Sequence, residues 1–178
     1  MKKLFKAMAI IPFVFLMVLM MTGCSEYNFY DDFHAAGSEI EEDNIYKVLT
    51  LEEAKKMKDD GETFALIYGS SESDETVTVI TRFQTQAEYL GNTTATIYFV
   101  NSKDYTTSSQ RKEVRDALGM HDPTSNGAPV IMTFKSTRVD LDTSNKDKTK
   151  TKEFYKNGMI QYSSVASYIF RELLASQN

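Results

Sequence analysis

The sequence predicts an α/β domain with a mixed central sheet. Three observations lead there. Strand-like apolar runs alternate with segments whose apolar residues recur every three or four positions. One run, residues 64–68, is apolar throughout, as in a strand covered on both faces. The chain closes with two further strand-like runs and a last helical segment, so the order reads β-α-β-α-β-α-β-β-α. Alternating units imply parallel strands joined by crossover helices, and the closing pair adds an antiparallel edge.

Taken in order, Ile45, Tyr46, Lys47 and Val48 alternate and predict a short strand. Thr50 followed by Glu53 forms a capping box, which satisfies two free N–H groups and starts a helix. Leu51, Ala54 and Met57 supply that helix's apolar face, and Gly61 its stop. After the strand at 64–68 comes a polar loop, residues 69–74. Val77, Ile80, Phe83 or Gln84, Ala87 and Leu90 then recur at helical spacing, until Gly91 and Asn92 end the helix. Residues 94–100 form another strand, rich in β-branched and aromatic side chains. Residues 109–118 form a helix with Val114, Ala117 and Leu118 inward and Gly119 as stop. Residues 129–134 form a strand whose partner is either 138–141 or 159–162. Between those two candidates, residues 142–152 are polar and are expected to form an exposed insertion. The last helix begins near Ser163 or Ser164 and carries Val165, Tyr168, Ile169, Leu173 and Leu174.

Composition excludes several functions. The chain has 178 residues, with 20 Lys+Arg and 25 Asp+Glu, a net charge of -5. Lys2, Lys3 and Lys6 carry all the charge before Gly23; taking those three from 20 leaves 17 basic against 25 acidic residues, or -8. Nucleic acid is a poor partner for so acidic a domain, because phosphate contacts need clustered Lys and Arg. The single cysteine, Cys24, excludes an intramolecular disulfide, a multi-cysteine zinc site and a dithiol redox couple within one chain. Two histidines, His34 and His121, leave little for His-based metal binding or catalysis. His121 beside Asp122 lies among turn formers with no nucleophile tied to it by spacing. Asp140, Asp142 and Asp147 lack the spacing and glycine of a calcium loop. Lys146, Lys148, Lys150 and Lys152 read as a solvated loop rather than a surface for anionic headgroups. No metal or other cofactor is expected.

The first 24 residues read as an address. A positive start, an apolar run of about 15 residues at 7–21 and small residues before a cleavage point have the form of a secretory signal. The run falls short of the roughly 20 residues that span a bilayer. Met21-Thr22-Gly23-Cys24 resembles the lipobox of bacterial lipoproteins. That resemblance implies that residues 1–23 are removed and that Cys24 carries a diacylglycerol thioether. Two acyl chains hold a protein stably, so the expected location is the extracytoplasmic face of a membrane. Residues 24–44, rich in Asp and Glu, are then expected to be a flexible lipidated tether. Tyr27, Phe29, Tyr30 and Phe33 are unusual in a tether. Either they dock on the domain or they lie at the headgroup level; the interfacial preference of aromatic rings favours the second.

Residues 45–178 form the expected domain, and its element order resembles that of thioredoxin-like proteins. Three features carry the resemblance across roughly residues 45–175. The buried strand 64–68 runs through a short loop into a helix, where the family places Cys-x-x-Cys. Gly127-Ala128-Pro129-Val130 opens a strand, where the family places a cis-proline facing that motif. A strand pair and a terminal helix close the domain. Within that family the chain resembles the bacteriocin transport accessory-type proteins. The resemblance implies a thioredoxin-like three-layer α/β/α sandwich with a mixed central sheet.

Placing Tyr68-Gly69 at the family's strand end puts Ser73-Asp74-Glu75-Thr76 at the Cys-x-x-Cys. Hydroxyls stand where both sulfurs would be, and a hydroxyl cannot carry out thiol–disulfide exchange. Oxidoreductase activity is therefore not expected. Ser70, Ser71, Ser73, Asp74, Thr76, Ala128 and Pro129 are the expected binding groove. The expected function is a redox-inactive binding or accessory module for exported polypeptides or an envelope complex. A non-redox enzyme using the same polar groove, or a plain surface spacer, are the alternatives.

Overall fold

The computed structural model describes residues 27–120, 129–134, 152–153 and 169–170. It is an α/β structure on a five-stranded mixed sheet of order β1-β3-β2-β4-β5. The strands are β1 (Tyr46–Val48), β2 (Phe64–Gly69), β3 (Ile97–Asn101), β4 (Val130–Phe134) and β5 (Lys152–Glu153). The first three strands are parallel, and β4 runs antiparallel to both β2 and β5. The helices are α1 (Phe29–Ala35), α2 (Leu51–Asp59), α3 (Asp74–Tyr89) and α4 (Ser108–Leu118), with a 3-10 turn at Ser102–Asp104.

β2 sits at the centre, hydrogen-bonded on both sides, and all six of its residues are buried. Its alternate residues feed two separate cores. Phe64, Leu66 and Tyr68 meet Leu51 and Ala54 of α2 and Val114 and Leu118 of α4. Ala65 and Ile67 meet Val79, Ile80, Phe83 and Ala87 of α3 and Phe29 and Phe33 of α1. The uniform apolar run in the sequence reflects this burial on both faces.

Local signals account for the helix ends. At Thr50 both bonds of the capping box are present: the Glu53 N–H donates to Thr50 Oγ1 and the Thr50 N–H to Glu53 Oε2. α4 starts on an equivalent box, Thr107 with Gln110, and ends at Gly119 in the left-handed region at φ 76°, a conformation in which a Cβ would be strained. Gln84, one of the two alternatives on the α3 face, is buried, and its Oε1 accepts from the Ile45 N–H at 3.2 Å.

Two expectations are corrected. Residues 27–44 are not a free tether over the part described. Asn28 caps α1, and Phe29 and Phe33 enter the core at 7% and 0% exposure. Their rings lie 4.6 Å apart, and both meet Phe99 of β3 edge-on, at 5.0 and 5.3 Å. Phe29 also packs on Tyr46 at 5.0 Å. Burying two phenylalanines stabilises by about 3–6 kcal/mol, far more than the headgroup contact expected of them. The docking alternative is the one realised.

The second correction concerns β4. Its described partner is Lys152–Glu153, with Met132 opposite Glu153 and Thr133 opposite Lys152. Lys152 falls within residues 142–152, the segment expected to be an exposed insertion. A two-residue strand has no room for an apolar alternation, so no pattern marked it. Residues 138–141 and 159–162, the two expected partners, lie outside the described residues. So do His121 and Asp122, the lysines at 146, 148 and 150, and Cys24. Of the expected last helix, Ile169 is described and buried in the α3-side core, beside Phe170.

Candidate functional site

The expected groove centres on the carboxyl end of β2, and three elements converge there. A Cβ placed on Gly69 would lie 2.8 Å from Thr76 Cγ2, 2.9 Å from Thr76 Oγ1 and 3.5 Å from Pro129 Cβ. Thr76 belongs to the first turn of α3, and Pro129 immediately precedes β4. No side chain other than hydrogen fits at residue 69 without displacing Thr76. The strand end, the helix start and the proline therefore pack as one unit.

Ser73 is the N-cap of α3, its Oγ accepting from the Thr76 N–H at 3.3 Å. Asp74 and Glu75 are exposed in the first turn and complement the helix dipole. Thr76 is completely buried, and its hydroxyl has no hydrogen-bond partner among the described residues. An unpaired buried hydroxyl is destabilising, so packing and not hydrogen bonding accounts for this side chain.

The expected groove residues thus separate into two groups. Ser73 and Asp74 reach solvent, whereas Thr76 and Pro129 are buried. Ser70 and Ser71 are buried, at 7% and 9% exposure, and belong to the scaffold under the loop. Ala128 lies outside the described residues, as does its bond to Pro129.

Ser71 is held by a polar cluster that sequence reasoning missed. Its Oγ donates to Asp32 Oδ2 at 2.7 Å and accepts from Lys103 Nζ at 2.8 Å. Lys103 also pairs with Asp32 Oδ1 at 3.3 Å and with Glu72 at 3.7 Å. The Tyr27 hydroxyl donates to Asp32 Oδ2 at 2.9 Å. Burial pushes the Asp32 carboxyl upward, but hydrogen bonds from Ser71, Tyr27 and Lys103, with the charge of Lys103, outweigh it and hold the group below its ordinary value. The Tyr27 hydroxyl is pushed far above its ordinary value, first by burial and then by its bond to Asp32. This cluster fastens α1 and the 3-10 turn after β3 onto the loop after β2. Its members are spread over residues 27 to 103, so no local spacing could reveal it. The signal that was present for α1 is the pair Phe29 and Phe33, at helical i,i+4 spacing behind the N-cap Asn28.

At the opposite edge of the sheet, a depression of about 720 Å³ is lined by Glu41, Ile45, Gln84, Glu88, Ala95 and Thr96 among others, and holds none of the expected site residues. Among the described residues no group of three or more His, Cys, Asp and Glu could hold a metal ion, and no helix is long and apolar enough to cross a membrane. Comparison with known proteins finds no matching family model and no curated protein of similar sequence.

Proposed function

We propose that this chain is a lipid-anchored, extracytoplasmic binding or accessory module with a thioredoxin-like fold and no oxidoreductase activity. One observation carries the proposal: Ser73 caps α3, and Thr76, three residues on, packs with Gly69 and Pro129 at the end of a central strand. Thioredoxin-like proteins with a Cys-x-x-Cys would hold two sulfurs and a proline in this arrangement. Three parallel strands with an antiparallel edge fit the same fold. With hydroxyls at both positions the site keeps its shape and loses its redox chemistry. What remains open to solvent is the start of α3 at Ser73 and Asp74, whose Thr76 packs with Gly69 and Pro129. An extended polypeptide could lay its backbone there, pairing with the chain next to that proline.

The address at residues 1–24 supplies the location. The lipobox-like Thr22-Gly23-Cys24 follows an apolar run too short to span a bilayer. Anchoring through Cys24 and binding beside Pro129 together describe a module that works on exported chains or within an envelope complex.

A photo-crosslinking residue at Ser73, in the membrane-anchored chain, tests this function. Adducts with exported polypeptides should form, and Pro129→Ala should abolish them. Absence of adducts, or adducts indifferent to Pro129→Ala, would contradict the binding role.

A further inference from the structure

The point where the chain enters the domain and the candidate site lie at the same edge. Cys24 precedes Tyr27 by three residues, a stretch that reaches at most about 11 Å when fully extended. Tyr27 is not free to drift from the domain. Its hydroxyl is bonded to Asp32, Asp32 to Ser71 and Lys103, and Phe29 is locked in the core. Ser71 follows β2 and Lys103 follows β3, so the chain enters the domain at the carboxyl edge of the parallel strands. The same edge carries Ser73, Thr76 and Pro129.

We infer that this carboxyl edge faces the lipid headgroups and that the groove opens onto the membrane surface. The inference rests on the lipoprotein reading of Cys24. A long flexible tether would have let the domain tumble well above the bilayer; α1 removes that freedom. The surface beside the entry point suits the position. Tyr27, Tyr30 and Val48 help line an open depression of about 440 Å³, and Val48 is among the exposed large apolar side chains, at 38%. Tyrosines with an apolar body and a polar tip are at home at a headgroup boundary. The opposite edge, where α3 ends at Tyr89, lies about 24 Å away along that 16-residue helix. A ligand would then approach the groove along the headgroup layer and not from bulk solvent.

The test uses the full lipidated chain, in which Cys24 is the only native cysteine and its sulfur is blocked. Single substitutions Val48→Cys, Glu72→Cys and Tyr89→Cys each then add one free thiol for a fluorophore. The labelled proteins are reconstituted into phosphatidylethanolamine–phosphatidylglycerol vesicles carrying a headgroup nitroxide. Emission should be lost at positions 48 and 72 and retained at 89. Intact mass, compared with the Cys24→Ala variant, reports lipidation independently. A chain without lipid overturns the lipoprotein reading and this proposal with it. A lipidated chain quenched equally at 72 and 89, or at neither, overturns the orientation alone.

Discussion

Replacing Phe33 with alanine measures how firmly the segment before β1 belongs to the folded domain. Phe33 is wholly buried, with ring contacts to Phe29 at 4.6 Å and to Phe99 at 5.3 Å. Removing a core phenylalanine costs about 3–5 kcal/mol, made up of lost transfer energy and the cavity left behind. A domain of roughly 150 residues loses about 2–4 °C of melting temperature per kcal/mol, so Phe33→Ala should melt roughly 6–20 °C lower. Native domains are stable by only about 5–15 kcal/mol, so the variant should remain folded but close to its limit. The assay is urea and thermal unfolding of the Cys24→Ala chain without residues 1–23, followed by far-ultraviolet circular dichroism. Glu39→Ala, an exposed position in the same segment, is the control and should change stability by less than about 0.5 kcal/mol. If Phe33→Ala matched that control, α1 would not be part of the core, and the short reach from anchor to groove would no longer hold.

Three other perturbations separate the parts of the site. Thr76→Val keeps the shape and removes a buried hydroxyl that has no partner among the described residues, so it should stabilise by about 1 kcal/mol; a comparable loss in a urea titration would mean that the hydroxyl has a partner. Gly69→Ala forces a methyl group against Thr76 and should destabilise by about 1–3 kcal/mol, a loss that Thr76→Ala in the same chain should partly relieve by removing the atoms struck. Asp32→Asn weakens the clasp on Ser71 and Lys103 and should cost about 1–2 kcal/mol at neutral pH. Because the Asp32 carboxyl titrates lower in the folded chain than in the unfolded one, its contribution is complete above about pH 4 and disappears as pH falls through the folded value. Unfolding curves of wild type and Asp32→Asn should therefore converge below about pH 4; a gap independent of pH would assign the loss to packing.

The parts of the fold legible in the sequence are those set by local chemistry. Thr50 with Glu53, and Gly119 after Leu118, fix helix ends through their own backbone bonds. Residues 64–68 declared a central strand because nothing polar interrupts them, and the strand runs one residue further, to Gly69. α1 was hidden because it has only seven residues among many acidic ones, and its two phenylalanines gain their energy from Phe99 and Tyr46, remote in sequence. β5 was hidden because two residues cannot display a period. At the candidate site, Ser73, Thr76 and Pro129 could be named through the resemblance to thioredoxin-like proteins. The burial of Ser71 could not, since it depends on Asp32 and Lys103, which only the folded chain brings together.

The most direct measurement of the thioredoxin-like proposal installs two sulfurs at the start of α3. Ser73→Cys with Thr76→Cys, made in the Cys24→Ala chain, places two thiols at the N-cap and third position of α3, three residues apart. Positions so spaced on a helix are neighbours, and a disulfide needs Cα atoms about 4.4–6.8 Å apart. Thiol titration should find a reversible disulfide between residues 73 and 76, and the variant should gain measurable insulin reduction that the parent lacks. Two thiols that stay free under oxidising conditions, or that pair only between molecules, would contradict the thioredoxin-like account of this site.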